Sequence, residues 1–185
     1  WRQNIISLID LLRVTLVELE DESAALDIAA KHGLYLQDNE ITIAFKAISR
    51  GLNNESSIDF TDMLYFPIMK NIRMPKYDFV FIDECQDLNA AQRELFLRCL
   101  KSDGRFIAVG DPRQAIYGFA GADVKSFNIL KNLPDTVSMP LSVCYRCDSE
   151  IIELAKTLVP QIEARENAPT GAINHNDSID NVKDG

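Results

Sequence analysis

Phe79-Val80-Phe81-Ile82-Asp83-Glu84-Cys85-Gln86-Asp87 is the stretch on which the fold of this chain turns. An apolar run predicts a buried strand, and two adjacent carboxylates follow it directly. Open α/β sheets place their ligands at the carboxyl ends of the strands, so Asp83 and Glu84 emerge from a rigid base where chemistry is expected. Successive residues leaving a strand point in different directions. One acid can then hold Mg²⁺ through its water shell while the other orients or deprotonates a water. Phosphoryl transfer is catalysed mainly by positioning and charge stabilisation, which suits a fixed carboxylate pair. An Asp-Glu pair alone also serves as a helix cap or a surface acid pair; Gln86 and Asp87 weigh toward the functional reading.

Working outward, a second apolar strand, Phe106-Ile107-Ala108-Val109, runs into Gly110-Asp111-Pro112-Arg113-Gln114. The glycines of the stretch that continues to Ala122 permit tight turns and close backbone approach. Gln114 both donates and accepts, so it can sense a γ-phosphate or the attacking water. Tyr117 and Phe119 sit in this Gly-rich loop, where they either plug the local core or offer flat faces to unstacked bases. A third segment, Leu141-Ser142-Val143-Cys144-Tyr145-Arg146-Cys147, supplies an arginine suited to neutralising charge on a γ-phosphate and a tyrosine suited to stacking. An ordinary ion pair and a core tyrosine are the plainer alternatives. Asp83, Gln114 and Arg146 are expected to converge on one nucleotide pocket.

The bulk properties set limits. The chain has 185 residues, 46% hydrophobic and 25% charged, which is ordinary globular composition. No apolar run approaches the roughly 20 residues that span a bilayer, and no basic-then-apolar leader opens the chain. The expectation is an intracellular, cytoplasmic protein. The net charge of -9 weighs mildly against nucleic-acid binding, although it is a poor guide to a local groove. Cys85, Cys99, Cys144 and Cys147 suit a reduced compartment better than a disulfide framework. Cys144 and Cys147 have Cys-x-x-Cys spacing, but structural zinc needs four ligands and no second pair is present.

Periodicity predicts a mainly helical first part: a helix over 4–20, one capped by Ser23 and ended by Gly33, one from Asn39 to Gly51, and one from Asp59 to about Asn71 disturbed at Pro67. Strands then alternate with helices. A helix is predicted over 90–100, another near Val124–Lys131, a strand at Val137–Met139, and a helix capped by Asp148 that carries Ile151, Ile152, Leu154, Ala155 and Leu158. The alternation argues for a parallel sheet with crossovers. From Glu163 the polar tail reads as loop or frayed end.

Taken together, these segments resemble the UvrD/Rep-like superfamily 1 DNA helicases. Asp83–Asp87 resembles motif II in its Gln-containing form. Val109–Ala122 resembles motif III, with its Gly-Asp-x-x-Gln-x-Ile-Tyr core. Leu141–Cys147 resembles motif IV, usually a Leu followed by Asn-Tyr-Arg-Ser, with Cys144 and Cys147 replacing Asn and Ser. Ile58–Leu64 resembles the Asp-Phe-x-Asp-Leu-Leu helix that precedes motif II. The resemblance implies an α/β fold with a RecA-like core, ATP and Mg²⁺ as cofactors, and single-stranded DNA or a duplex/single-strand junction as partner. It implies that Asp83 binds Mg²⁺ with Glu84 beside it as catalytic base. Gln114 couples the γ-phosphate to the DNA groove, Arg146 is a cis arginine finger, and Tyr145 stacks on adenine. Tyr117 and Phe119 stack on single-stranded DNA, Phe119 standing where the family often has Trp.

The departures are as informative. No Gly-x-x-x-x-Gly-Lys-Ser/Thr occurs in the sequence, nor does the adenine-reading Gln segment or the later Arg motif. The simplest expectation is an internal piece of a longer helicase: 1–72 a helical accessory part of the first lobe, 73–140 the core with motifs II and III, and 141–185 the start of the second lobe. Such a piece alone is expected to bind ATP weakly and unwind nothing. The alternative is a degenerate RecA-like module that binds nucleic acid or protein without ATPase activity.

Overall fold

Residues 2–69 deliver four helices: α1 (Arg2–Thr15), α2 (Glu22–Lys31), α3 (Glu40–Leu52) and α4 (Asp62–Met69). The computed structural model describes residues 2–37, 39–54, 56–116, 121, 123 and 125–173. Two compact units divide the chain, residues 1–136 and 137–185.

In the first unit Leu8 and Leu12, one helical turn apart on α1, meet Ala25 and Ala29 of α2, Ala44, Phe45 and Ile48 of α3, and Tyr65 and Phe66 of α4. Full burial of a leucine contributes about 1.5–3 kcal/mol, so this cluster holds the layer together. Arg13 is buried on the same helix, where its guanidinium donates to Asp10, Asp59 and Asp62 and ties α1 to the start of α4.

The helix boundaries differ from the periodicity in instructive ways. α1 stops at Thr15, because Leu16 turns into left-handed backbone at φ 57°. Asp21, not Ser23, caps α2: its carboxylate accepts from Ala24 N–H at 2.9 Å. A charged cap also meets the helix dipole, which favours Asp over a serine two residues on. Asn39 precedes α3 but makes no side-chain cap bond; the Glu40 carboxylate instead accepts from Gln37 N–H at 2.7 Å. Gly51 lies inside α3 rather than at its end. Asp59 and Asp62 exchange backbone-to-carboxylate bonds at 2.7 and 3.1 Å, closing the entry to α4.

β1 (Tyr77–Ile82), α5 (Ala90–Cys99) and β2 (Leu100–Ala108) form a parallel crossover unit. Its register places Phe79 beside Arg105, Phe81 beside Ile107 and Ile82 beside Ala108. A capping box of Asn89 and Gln92 starts α5. β2 begins six residues before the apolar run, at Leu100, and a register break between Tyr77 and Phe79 accommodates the polar residues 101–104. One sheet face buries Val80, Ile82, Phe106 and Ala108 against Phe96, Leu130 and Phe127. The other presents Tyr77, Phe79, Phe81, Ile107 and Val109, all exposed. α6 (Ser126–Lys131) closes the buried face. Ser126, fully buried, donates to Leu88 carbonyl at 2.8 Å, and Arg93 pairs with Asp123 at 2.9 Å.

The strand predicted at Val137–Met139 does not form; Val137 and Met139 are exposed in irregular chain. Pro140 beside them has no N–H to donate, and an apolar alternation without a neighbouring strand does not hold extended backbone. In the second unit β3 (Val143–Cys144) pairs in parallel with β4 (Glu163–Ala164), and α7 (Ser149–Ala155) connects them. β4 corrects the loop expected from Glu163: backbone bonds from Glu163 N–H to Ser142 and from Arg165 N–H to Cys144 carry it, and these need no apolar side chain. α7 ends at Ala155, leaving Leu158 exposed. Asp148 holds the N-cap position without a side-chain cap bond, and Pro169 and Thr170 carbonyls accept the first N–H groups of the helix instead. Among the described residues, no helix is long and apolar enough to cross a membrane. Mixed helix and strand with small parallel sheets is the α/β character expected.

Candidate active site at the carboxyl ends of the parallel strands

Backbone pairing continues past the ends of β1 and β2. Val109 N–H donates to Ile82 carbonyl at 2.8 Å, and Cys85 N–H donates to Val109 carbonyl at 2.9 Å. The two loops, 83–87 and 110–114, therefore leave the sheet side by side. Asp83 and Glu84 are exposed at this end, while Cys85 and Gln86 turn inward in a short 3₁₀ helix, Cys85–Asp87.

Glu84 has left-handed backbone, φ 50° and ψ 44°. For a residue with a β-carbon this costs on the order of 1–3 kcal/mol, and it persists only where surrounding bonds impose it. Those bonds are present: Glu84 N–H donates to Asp83 Oδ1 at 3.0 Å, and Asp87 N–H donates to Glu84 carbonyl at 2.9 Å. The turn directs the two neighbouring carboxylates differently.

Gln86 joins the loops. It is only 3% exposed. Its Nε2 donates to Glu84 Oε2 at 2.8 Å, and its Oε1 accepts from Asp111 N–H at 3.0 Å. Asp111 in turn accepts from Arg113 N–H on Oδ1 and from Gln114 Nε2 on Oδ2, both at 2.9 Å, and so caps the 3₁₀ helix Pro112–Gln114. A relay thus runs Glu84–Gln86–Asp111–Gln114. The carboxamide offers a donor and an acceptor at once in this position; a carboxylate would repel Glu84 and a lysine would leave Asp111 N–H unpaired. Sequence reasoning noted Gln86 but assigned it no task. A two-way polar side chain beside an acid pair was the signal that could have revealed it.

Gly110 is required for the same reason. A β-carbon there would collide with Gln86 Oε1 and come within 2.8 Å of Cys85 Sγ. Burial pushes the Cys85 thiol pKa up, and the charges of Glu84 and Asp83 add to that against its own backbone hydrogen bond. Cys85 is therefore a neutral filler beneath the site.

The donor set fits a hard cation that keeps most of its water: Mg²⁺ takes one or two carboxylates and completes its shell with waters and phosphates. Asp83 and Glu84 offer exposed carboxylate oxygens, and Asp87 holds a buried oxygen with no hydrogen-bond partner. Among the described residues no three His, Cys, Asp or Glu side chains gather as a metal cage. The structure brings Asp83, Glu84 and Gln114 to one end of one sheet. Tyr145 and Arg146 belong to the second unit, both exposed in the bend after β3. Tyr117 and Phe119 lie outside the described residues.

A parallel crossover unit with acids at the end of one strand, an amide relay to the next, and the Gly-Asp-Pro-Arg-Gln turn define a class, and comparison with known proteins identifies it. The chain belongs to the UvrD/REP helicase family: the model of the UvrD/REP helicase N-terminal domain matches residues 4–135. It is similar to the ATP-dependent DNA helicase PcrA of Staphylococcus epidermidis, 26% identical over 176 residues that cover 89% of this chain and 24% of that protein. It is also similar to the ATP-dependent DNA helicase PcrA of Staphylococcus aureus, 27% identical over 149 residues that cover 75% of this chain and 20% of that protein. The chain spans a quarter or less of the length of these curated relatives. The resemblance read from the motifs is thereby confirmed.

Proposed function

We propose that this chain is part of the ATP-hydrolysing, RecA-like core of a DNA helicase that couples Mg-ATP hydrolysis to movement along single-stranded DNA and to duplex unwinding. The observation that carries the reading is the relay from Glu84 through Gln86 and Asp111 to Gln114. It links the residue suited to activating water with the residue suited to sensing the γ-phosphate.

Glu84 acts as the catalytic base: its carboxylate takes the proton of the attacking water, and Gln86 holds it in place. Asp83 would hold Mg²⁺, with Glu84 beside it. When bound, Mg²⁺ neutralises charge on the triphosphate. Gln114 passes the state of the γ-phosphate to the loop that carries Tyr117 and Phe119, which stack on bases of the single strand or its junction with duplex. To Arg146 we assign charge neutralisation at the γ-phosphate, and to Tyr145 stacking on adenine; both assignments rest on motif position. The sequence has no phosphate-cradling Gly-Lys-Ser/Thr loop, so this chain alone is expected to bind ATP weakly and to unwind nothing.

The test is Glu84→Gln in a protein that carries this chain together with a phosphate-binding loop. Loss of ATP hydrolysis with ATP binding retained is expected; unchanged turnover overturns the base assignment. The alternative is a RecA-like module that binds nucleic acid or protein without hydrolysing ATP. Single-strand affinity without DNA-stimulated ATPase in the full-length protein would establish it.

A further inference from the structure

Asp87 has no role in the chemistry proposed above, yet it ends the loop that carries the acid pair. Its backbone is fixed on both sides. Asp87 N–H donates to Glu84 carbonyl at 2.9 Å, and the carbonyl of the next residue, buried Leu88, accepts from Asp123 N–H at 3.0 Å and from the Ser126 hydroxyl at 2.8 Å. The Asp87 side chain is half-buried. Its Oδ2 accepts from Gln86 Nε2 at 3.4 Å, while its Oδ1 is buried with no hydrogen-bond partner among the described residues. A buried carboxylate oxygen left unpaired is costly, so stability alone does not account for an acid at this position.

What this acid faces is the nitrogen of Gln86. That nitrogen carries two hydrogens. One goes to Glu84 Oε2 at 2.8 Å, which leaves the other for Asp87 Oδ2. The oxygen of the same carboxamide accepts from Asp111 N–H at 3.0 Å. Reversing the carboxamide would set its nitrogen against Asp111 N–H and its oxygen against two carboxylates. Both acids and the backbone donor therefore select one orientation. The reaction treats the two acids differently. Glu84, as the base, takes a proton from the attacking water, and a protonated carboxyl is a weaker acceptor with a hydrogen of its own to place. At that moment Glu84 no longer fixes the Gln86 nitrogen. Asp87 exchanges no proton with the water and remains an acceptor.

We infer that Asp87 is a positioning residue for ATP hydrolysis: it holds the Gln86 carboxamide in one orientation while Glu84 takes up and releases the proton of the water, and so returns Glu84 to its place for the next turnover. The inference rests on Glu84 being the base. Asp87 touches neither substrate nor metal in this role. The nitrogen of Gln86 lies 3.4 Å from Asp87 and 2.8 Å from Glu84, so in the resting arrangement it leans toward the base. The rival role is metal ligation, since carboxylate oxygens suit Mg²⁺. Against it, the unpaired Oδ1 of Asp87 is buried, whereas Asp83 and Glu84 are exposed.

The contact is tested in the ¹⁵N-labelled 185-residue chain. Asp87→Asn keeps the shape and replaces a charged acceptor by a neutral one, and it is expected to move one of the two Gln86 side-chain N–H proton resonances toward weaker hydrogen bonding, more than the other. Neither resonance moving would overturn the inference. The role is tested by steady-state ATPase in a protein that carries this chain together with a phosphate-binding loop. Asp87→Ala is expected to lower kcat about tenfold, less than the ~10²–10⁴ that a general base itself contributes. The KM for ATP and the Mg²⁺ concentration for half-maximal rate are expected to stay within about twofold of the parent. Asp87→Asn, which retains an oxygen acceptor, is expected to keep most of the parent kcat. An unchanged kcat in Asp87→Ala, a loss in Asp87→Asn equal to that in Asp87→Ala, or a raised Mg²⁺ requirement would each overturn the inference, the last by making Asp87 a metal ligand. Glu84→Gln measured alongside separates the two readings. If it leaves turnover unchanged, the base assignment falls and the role of Asp87 with it; if it abolishes turnover while Asp87→Ala leaves kcat unchanged, only the role of Asp87 falls.

Discussion

Leu8 and Leu12 of α1 are 0% and 1% exposed, whereas Phe79 and Phe81 of β1 are 56% and 69% exposed. Both pairs are large and apolar, and both lie in the first unit. The helical layer finds its partners within one short span of chain, because each amphipathic helix needs only one covered stripe. A parallel strand has two faces to cover, and a two-stranded sheet covers one at most. Here α5 and α6 side chains cover the face of Val80 and Ile82, while Phe79 and Phe81 stack on each other, centroids 6.5 Å apart, on the open face. Apolar burial thus organises the helices. At the carboxyl end of the sheet, hydrogen bonds through Gln86 do that work.

The contrast can be broken at four points. Leu12→Ala should cost the most, about 2–5 kcal/mol in urea unfolding, because a fully buried leucine leaves a cavity. A loss below about 1 kcal/mol would mean the helical core is looser than its burial. Gly110→Ala comes next, at about 1–3 kcal/mol, from forcing a methyl group into Gln86 and Cys85. An unshifted urea midpoint would show that the relay yields freely.

Arg13→Met should cost about 1–2 kcal/mol, below the buried-pair range because the Asp10 and Asp59 carboxylates are half-exposed and screened. It carries a pH signature. Burial alone would raise the Asp59 pKa, but hydrogen bonds from Arg13 and from the Asp62 and Thr61 backbone, with the Arg13 charge, leave it lowered. A lowered folded pKa gives stability that is complete above the unfolded value, near pH 4, and lost as pH falls through the folded one. Unfolding midpoints at about pH 7 and pH 3 should therefore differ less in Arg13→Met than in the parent chain. An equal or larger difference would remove Asp59 from the acid response. Phe81→Thr should change stability least, within about 0.5 kcal/mol, the range of exposed substitutions. A loss comparable to Leu12→Ala would show that the open face is covered in solution.

The acid-ended strand, the crossover and its parallel sense were legible, because a continuous apolar run followed by turn residues leaves few other readings. The two-residue strand at Glu163 and Ala164 was not, since backbone pairing selects no side chain. Nor was the failure of Val137–Met139, whose alternation is sound but meets no neighbour. At the site, Asp83, Glu84 and Gln114 were legible as chemical types, and Tyr117 and Phe119 were named there as stacking candidates. The left-handed turn at Glu84 was not legible, because nothing about a glutamate announces positive φ.

What the order of residues settled alone was identity and local habit: which groups are acids, amides and cysteines, which segments alternate, and which family they resemble. Folding settled the partnerships. Gln86 reaches Asp111 and Arg13 reaches Asp59 only after distant segments pack together. Hydrogen bonds and ion pairs act over a few ångströms, so their members are chosen by where the packed chain brings them and not by their place along it.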